Sequence, residues 1–154
     1  MLREAGVSGS SPPLPWFANG LRFACTRCGN CCGGAPGYVW VNAEERRSIA
    51  AALGQTLAEF EANHTRVAGV RRSLLERPNG DCEFLARDPS GRAACRIHEV
   101  RPTQCRTWPF WQSNLETPAA WRATGRHCPG LNQGDHHPLP VIQAALASNG
   151  TLPL

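Results

Sequence analysis

Residues 25–32 read Cys25-Thr26-Arg27-Cys28-Gly29-Asn30-Cys31-Cys32, and Gly33 and Gly34 follow at once. Four thiols within eight residues are a metal-ligand pattern, because thiolate sulfur is a soft donor that binds zinc and iron tightly. Two-residue spacers let the sulfurs of Cys25, Cys28 and Cys31 turn toward one centre, and the glycines ease the tight turns this needs. Cys31 and Cys32 are adjacent. In an extended backbone, neighbouring side chains leave on opposite sides. The spacing therefore assigns Cys25, Cys28 and Cys31 to one centre and Cys32 to another, or to closing the site from a different direction. Buried apolar cysteines or disulfides are the competing reading, and clustering this dense favours metal.

Composition points the same way. The 154 residues suit one domain with a modest core, and 15 Gly with 13 Pro favour loops over long regular elements. A loop-rich chain of this size needs staples, and the eight cysteines can supply them. The beginning, MLREAGVSGSSPPLPWF, has no apolar core of the kind a secretory signal carries. No run of about 18 apolar residues suggests a membrane span. The expected location is the cytoplasm, where thiols stay reduced and are available to metal. The net charge is +4, and all 16 basic residues are arginine, dispersed rather than gathered in a stripe. Nucleic-acid binding is accordingly the least favoured of the functional classes.

Outward from the cluster, residues 1–15 read as a disordered Ser/Pro/Gly-rich arm, and 16–154 as a single cysteine-cluster metal-binding domain. Trp16, Phe17, Leu21 and Phe23 are expected to form an apolar lead-in that shields the metal. Tyr38–Val41 is β-prone. Asn42 with Glu45, and Thr56 with Glu59, are capping-box pairs that predict two helices, the second running to about His64. His64 reads as a surface residue compatible with the helix dipole. Residues 65–77 are weakly β-like. Pro78–Asp81 and Asp88–Gly91 are turns, and Cys82–Leu85 and Arg92–Arg96 flank the second of them as a hairpin. A short helix is expected from Pro102. Trp108, Phe110 and Trp111 read as a hydrophobic wall around the metal site rather than a base-stacking surface. Residues 112–120 read as a loop, Trp121–His127 as a final strand, and Leu139–Ala147 as a terminal helix.

The late thiols are Cys82, Cys95, Cys105 and Cys128. Their spacing is not that of a zinc ribbon, so early and late cysteines sharing sites is as consistent with it as two separate Cys₄ centres. The two-residue spacing of Cys25, Cys28 and Cys31 also matches the ferredoxin run, with Cys128-Pro129 as a distant Cys-Pro, which keeps an iron–sulfur cluster such as 4Fe-4S open. His98, between Cys95 and Cys105, is the best non-cysteine candidate, as a ligand or as a group hydrogen-bonded to one; His127 beside Cys128 is a candidate for the latter role, whereas His136-His137 reads as a solvated polar turn. No nucleotide-binding or serine-hydrolase motif occurs.

The pattern Phe23-x-Cys25-x₂-Cys28-x₂-Cys31-Cys32 resembles the signature of the CxxCxxCC, or YkgJ-type, cysteine-cluster family. Cys82-x-Phe84-Leu85 and Cys95-x-Ile97-His98-x₂-Arg101-Pro102-x₂-Cys105-Arg106-x₂-Pro109-Phe110 are similar to its second block. The resemblance covers roughly residues 23–128 and implies chelation of zinc or iron. A similar cysteine cluster occurs in flagellin lysine-N-methylase, linked there to an iron–sulfur cluster, which keeps an iron–sulfur enzyme or redox component as the alternative function. The expected fold is a small, loop-rich α+β domain with a few short helices and β-hairpins folded around metal, in a structural or metal-handling role.

Overall fold

The computed structural model describes residues 10–149. The arm expected over residues 1–15 lies outside them as far as residue 9, and residues 10–14 are exposed and without regular structure. In chain order the first elements are β1 (Leu21–Phe23), a 3-10 turn (Asn30–Cys32), α1 (Ala43–Ala52), α2 (Leu57–His64), β2 (Thr65–Ala68) and β3 (Arg71–Leu74). There follow β4 (Leu85–Arg87), β5 (Ala93–Cys95), a second 3-10 turn (His98–Val100), α3 (Thr103–Arg106), α4 (Gln112–Leu115), α5 (Pro118–Gly125), β6 (Asp135–His137) and α6 (Leu139–Ser148). The strands pair as three antiparallel two-stranded sheets, β1 with β6, β2 with β3 and β4 with β5, so the fold is mixed α+β.

The middle of the chain builds the first core. Both capping boxes form. The Glu45 N–H donates to Asn42 Oδ1 and the Asn42 N–H to Glu45 Oε2, each at 2.8 Å. Thr56 and Glu59 repeat the exchange at the start of α2. These bonds satisfy amides that a helix start leaves without partners. Residues 65–74 close into the β2–β3 hairpin, with Thr65 opposite Leu74. The β-prone run lies along β3, where the Val41 N–H donates to Arg72 O and the Leu74 N–H to Val39 O. Ser73 is fully buried there and satisfied, accepting from the Val39 N–H and donating to Leu74 O. Val41, Ile49, Ala50, Phe60, Leu74, Phe84 and Ile97 fill this core. On its outer side Tyr38 and Trp40 stack at 4.6 Å, with Arg66 over the first ring and Arg71 over the second.

The two ends of the described chain build the second core from Phe17, Phe110, Leu115, Trp121, Cys128, Leu131 and Ile142. Leu21 and Phe23 pack against it, so the apolar lead-in belongs to this core. Two expected elements differ. Residues 112–120, read as loop, contain α4 and the start of α5. Trp121, read as the start of a strand, lies inside α5. Thr117 caps that helix, its Oγ1 accepting from the Ala120 N–H at 3.0 Å, and Pro118 occupies the first turn, where a missing N–H costs nothing. His136-His137 is not a polar turn but part of β6, with His136 Nε2 at 2.8 Å from Asn19 O and His137 Nε2 at 3.0 Å from Phe23 O. His64 is not a surface residue either: it is mostly buried between Gln55 and Glu83, with Nδ1 at 3.0 Å from Glu83 Oε2.

Candidate metal centre

The cluster loop is shaped by its backbone. Gly29 (φ 81°) and Arg27 (φ 57°) are both left-handed, a conformation that is strained for a residue with a Cβ. Arg27 is held there by the β4–β5 hairpin: its carbonyl accepts from the Ala93 N–H at 2.7 Å and its Nε donates to Ala93 O at 3.0 Å. Gly29 also lies so close to the hairpin that a Cβ would come within 2.9 Å of the Ala93 Cβ. The resulting turns aim amides at sulfur. The Arg27 N–H donates to Cys25 Sγ at 3.4 Å and the Asn30 N–H to Cys28 Sγ at 3.5 Å. Hydrogen bonds to sulfur of this kind tune metal-bound thiolates. At the far end of the loop the Cys82 N–H donates to Cys32 O at 2.7 Å, which ties the late block to the early one.

Early and late thiols line one cavity of about 730 Å³. Cys25, Cys31 and Cys32 come from the cluster loop, Cys82 from the segment before β4, Cys95 from β5 and Cys105 from α3. All eight cysteines are free thiols. Trp108 and Trp111, in edge-to-face contact at 4.7 Å, form part of the wall as expected, whereas Phe110 turns into the second core. Cys28 does not line the cavity but lies close enough for its charge to act on Cys31. Cys128 is buried in the second core, and the ring of His127 is exposed while its carbonyl accepts from Asn30 Nδ2 at 2.7 Å. His98 reaches the cavity, with Nδ1 at 2.9 Å from Glu99 Oε1.

The adjacent sulfurs do not diverge. Cys31 Sγ and Cys32 Sγ lie 3.9 Å apart, because the backbone there is a 3-10 turn and not extended. A zinc–sulfur bond of about 2.3 Å in a tetrahedron separates two sulfurs by about 3.8 Å, so the pair has the span of two ligands on one ion. Among the described residues no three Cys, His, Asp or Glu side chains converge as a single ion would require. The donors at the cavity are predominantly soft sulfur, which suits zinc or iron and not the hard cations that prefer oxygen. The buried indole N–H of Trp108, a residue of the cavity wall, has no hydrogen-bond partner among the described residues.

The protonation of the thiols follows from burial and contact. The Cys32 thiol beside it holds Cys31 below the ordinary thiol value, against burial and the charges of Cys25, Cys105 and Cys28. The same contact pushes Cys32 up, with burial adding to it. Burial pushes Cys82 up to about 11 and Cys105 up to about 12, and raises Cys95 as well. Cysteine spacing does not reveal Arg27, which holds the loop against Ala93, or the turn ending at Asp81, which packs against its end. A Cβ on Gly33 would sit 2.5 Å from Asp81 Oδ1, and one on Gly80 would run into Gly34 O, so the Pro78–Asp81 turn packs directly on the end of the cluster. The glycine pair after Cys32 was the available signal for that close approach.

A family model named CxxCxxCC and described as "Putative zinc- or iron-chelating domain" matches residues 24–131. The chain belongs to the CxxCxxCC family. The match encloses all eight cysteines of this CxxCxxCC protein, from Cys25 to Cys128. An uncharacterized protein of Methanocaldococcus jannaschii is 30% identical over 94 residues, covering 61% of this chain and 48% of that protein. The chain thus spans about half the length of this curated relative. No solved structure matches it. Among the described residues, no helix of the CxxCxxCC protein is long and apolar enough to cross a membrane.

Proposed function

We propose that this chain binds zinc or iron through the thiolates of Cys25, Cys31, Cys32, Cys82, Cys95 and Cys105, with Cys28 completing the set from the cluster loop, in a structural or metal-handling role. The observation that carries the reading is that thiols from both cysteine blocks line one cavity. The spacing of Cys31 and Cys32 matches two ligands on one ion, and the family description is of zinc or iron chelation. A bound metal would supply cross-links that a loop-rich chain otherwise lacks. Cys128 acts as an apolar core residue in this reading, and His98 and His127 are not ligands. The reading places the protein in a reducing compartment such as the cytoplasm, and 16–154 functions as one unit organised around the centre.

An iron–sulfur cluster, with a redox or enzymatic role, is the second reading. It is favoured by the width of the cavity and by the lack of three donors closing on a single point among the described residues. Anaerobic purification followed by metal and sulfide counts per chain separates the two. A colourless protein with zinc supports the first reading, and a brown one with iron and acid-labile sulfide supports the second. The ligand assignment predicts that Cys31→Ser and Cys105→Ser lower the metal count and Cys128→Ser leaves it intact. Equal loss in all three variants would refute it.

A further inference from the structure

Arg101 stands between the second 3-10 turn and the Pro102 that starts α3. Its Nε donates to His98 O at 3.0 Å, which fixes the side chain to its own turn. It lines the cavity alongside Cys32, Cys95 and Cys105, three thiols contributed by the cluster loop, β5 and α3. Its positive charge favours the thiolate form of each. Its two terminal nitrogens make no hydrogen bond among the described residues, so their donors remain available. Arg27, the other guanidinium at the cavity, uses its Nε to brace the loop against Ala93 O.

Several thiolates around one divalent metal leave a net negative charge in a half-buried space. That charge needs an offset. A guanidinium is permanently charged, weakly hydrated and forked, so it can donate to more than one acceptor at once. We propose that Arg101 is the positioning residue of the metal centre: its guanidinium donates N–H bonds to the bound sulfurs and offsets their charge where the two cysteine blocks meet. This rests on the thiolate reading above.

The test uses the reduced full-length chain under anaerobic conditions, titrated with Co²⁺ against a competing chelator while the sulfur-to-cobalt charge-transfer band is recorded. Arg101→Gln is expected to weaken Co²⁺ binding about 10-fold or more, the usual size of an outer-shell loss, and to shift the band. Arg101→Lys should restore part of the affinity without restoring the band. Arg122→Gln makes the same charge change on the exposed face of α5 and should alter neither. Wild-type affinity and band in Arg101→Gln would overturn the proposal, as would an equal loss in Arg122→Gln. If Arg101→Gln does not fold, Arg101→Lys decides, and full wild-type behaviour there overturns the guanidinium role. A wild-type chain that takes up no Co²⁺ refutes the thiolate reading itself, an outcome distinct from wild-type binding that Arg101→Gln leaves unchanged.

Discussion

Cys105 and Cys82 show how burial sets the chemistry of a thiol in the proposed metal centre. Pushed up to about 12 and about 11, both carry their protons at neutral pH in the metal-free protein. Metal must displace those protons. Apparent affinity is therefore expected to rise with pH, and calorimetry in buffers of different ionisation enthalpy should record proton release on binding. The stability of the metal-free fold has the opposite slope. A thiol raised above its ordinary value of 9.0 stabilises the fold fully below that pH and loses the contribution as pH rises through about 11 and 12. Spacing made the cluster legible at this scale, since Cys25 and Cys31 do share a cavity with late thiols. The divergence expected of the Cys31 and Cys32 side chains does not occur, because a 3-10 turn is invisible to an argument that assumes extended backbone. Spacing also says nothing of where Cys128 packs, since only the fold of α5 and its neighbours sets that thiol among Phe17, Trp121 and Ile142.

The helices were readable where a side chain closes a local hydrogen bond. Asn42 and Thr56 each announce a helix start with the acid three residues on, and both helices form as expected. Asn42→Ala should cost about 1 kcal/mol in denaturant unfolding, the usual value for a lost cap. Glu45→Ala should cost more, because Glu45 Oε1 also accepts from the Thr103 N–H at 2.7 Å and so joins α1 to the short helix that carries Cys105. Where pairing is made at a distance, the reading failed. Asp135–His137 has no strand preference of its own and becomes β6 only because β1 lies beside it. Trp121 reads as a β-former, but the cap at Thr117 and the alanines after Pro118 decide for helix.

The described residues form two hydrophobic cores, one from the middle of the chain and one from its ends, and the cysteine loop bonds to His127 O at one point and to the Cys82 N–H at another. Each core is a set of seven buried residues, none of them a thiol of the cavity. Chelation is therefore expected to lower the thermal transition without abolishing helical structure. Hydrogen exchange should locate the damage at the Cys82 N–H, which donates to Cys32 O, and at the Ala93 N–H, which donates to Arg27 O. Protection at Ile49 and Phe60 should persist. Unchanged exchange at Cys82 and Ala93 after metal removal would show that the centre does not hold the loop. Composition foretold the loops, and the capping boxes and β-prone runs the α+β class, but not this division, which depends on which apolar residues meet across the chain.

The strand that closes the second core carries a consequence for synthesis. The His137 ring meets the carbonyl of Phe23 across 114 residues of chain. On the ribosome, Cys25 to Cys32 emerge early, Cys105 later, and Asp135–His137 last of all. At about 5–20 residues per second, seconds pass between these events. Every thiol of the cavity is thus outside the tunnel before β1 has its partner strand. Metal capture can come before the terminal sheet closes, and through that interval Phe17, Leu21 and Phe23 wait uncovered for Trp121, Leu131 and Ile142. The apolar face that β1 and its flanks present to the second core stays exposed until α6 arrives to cover it.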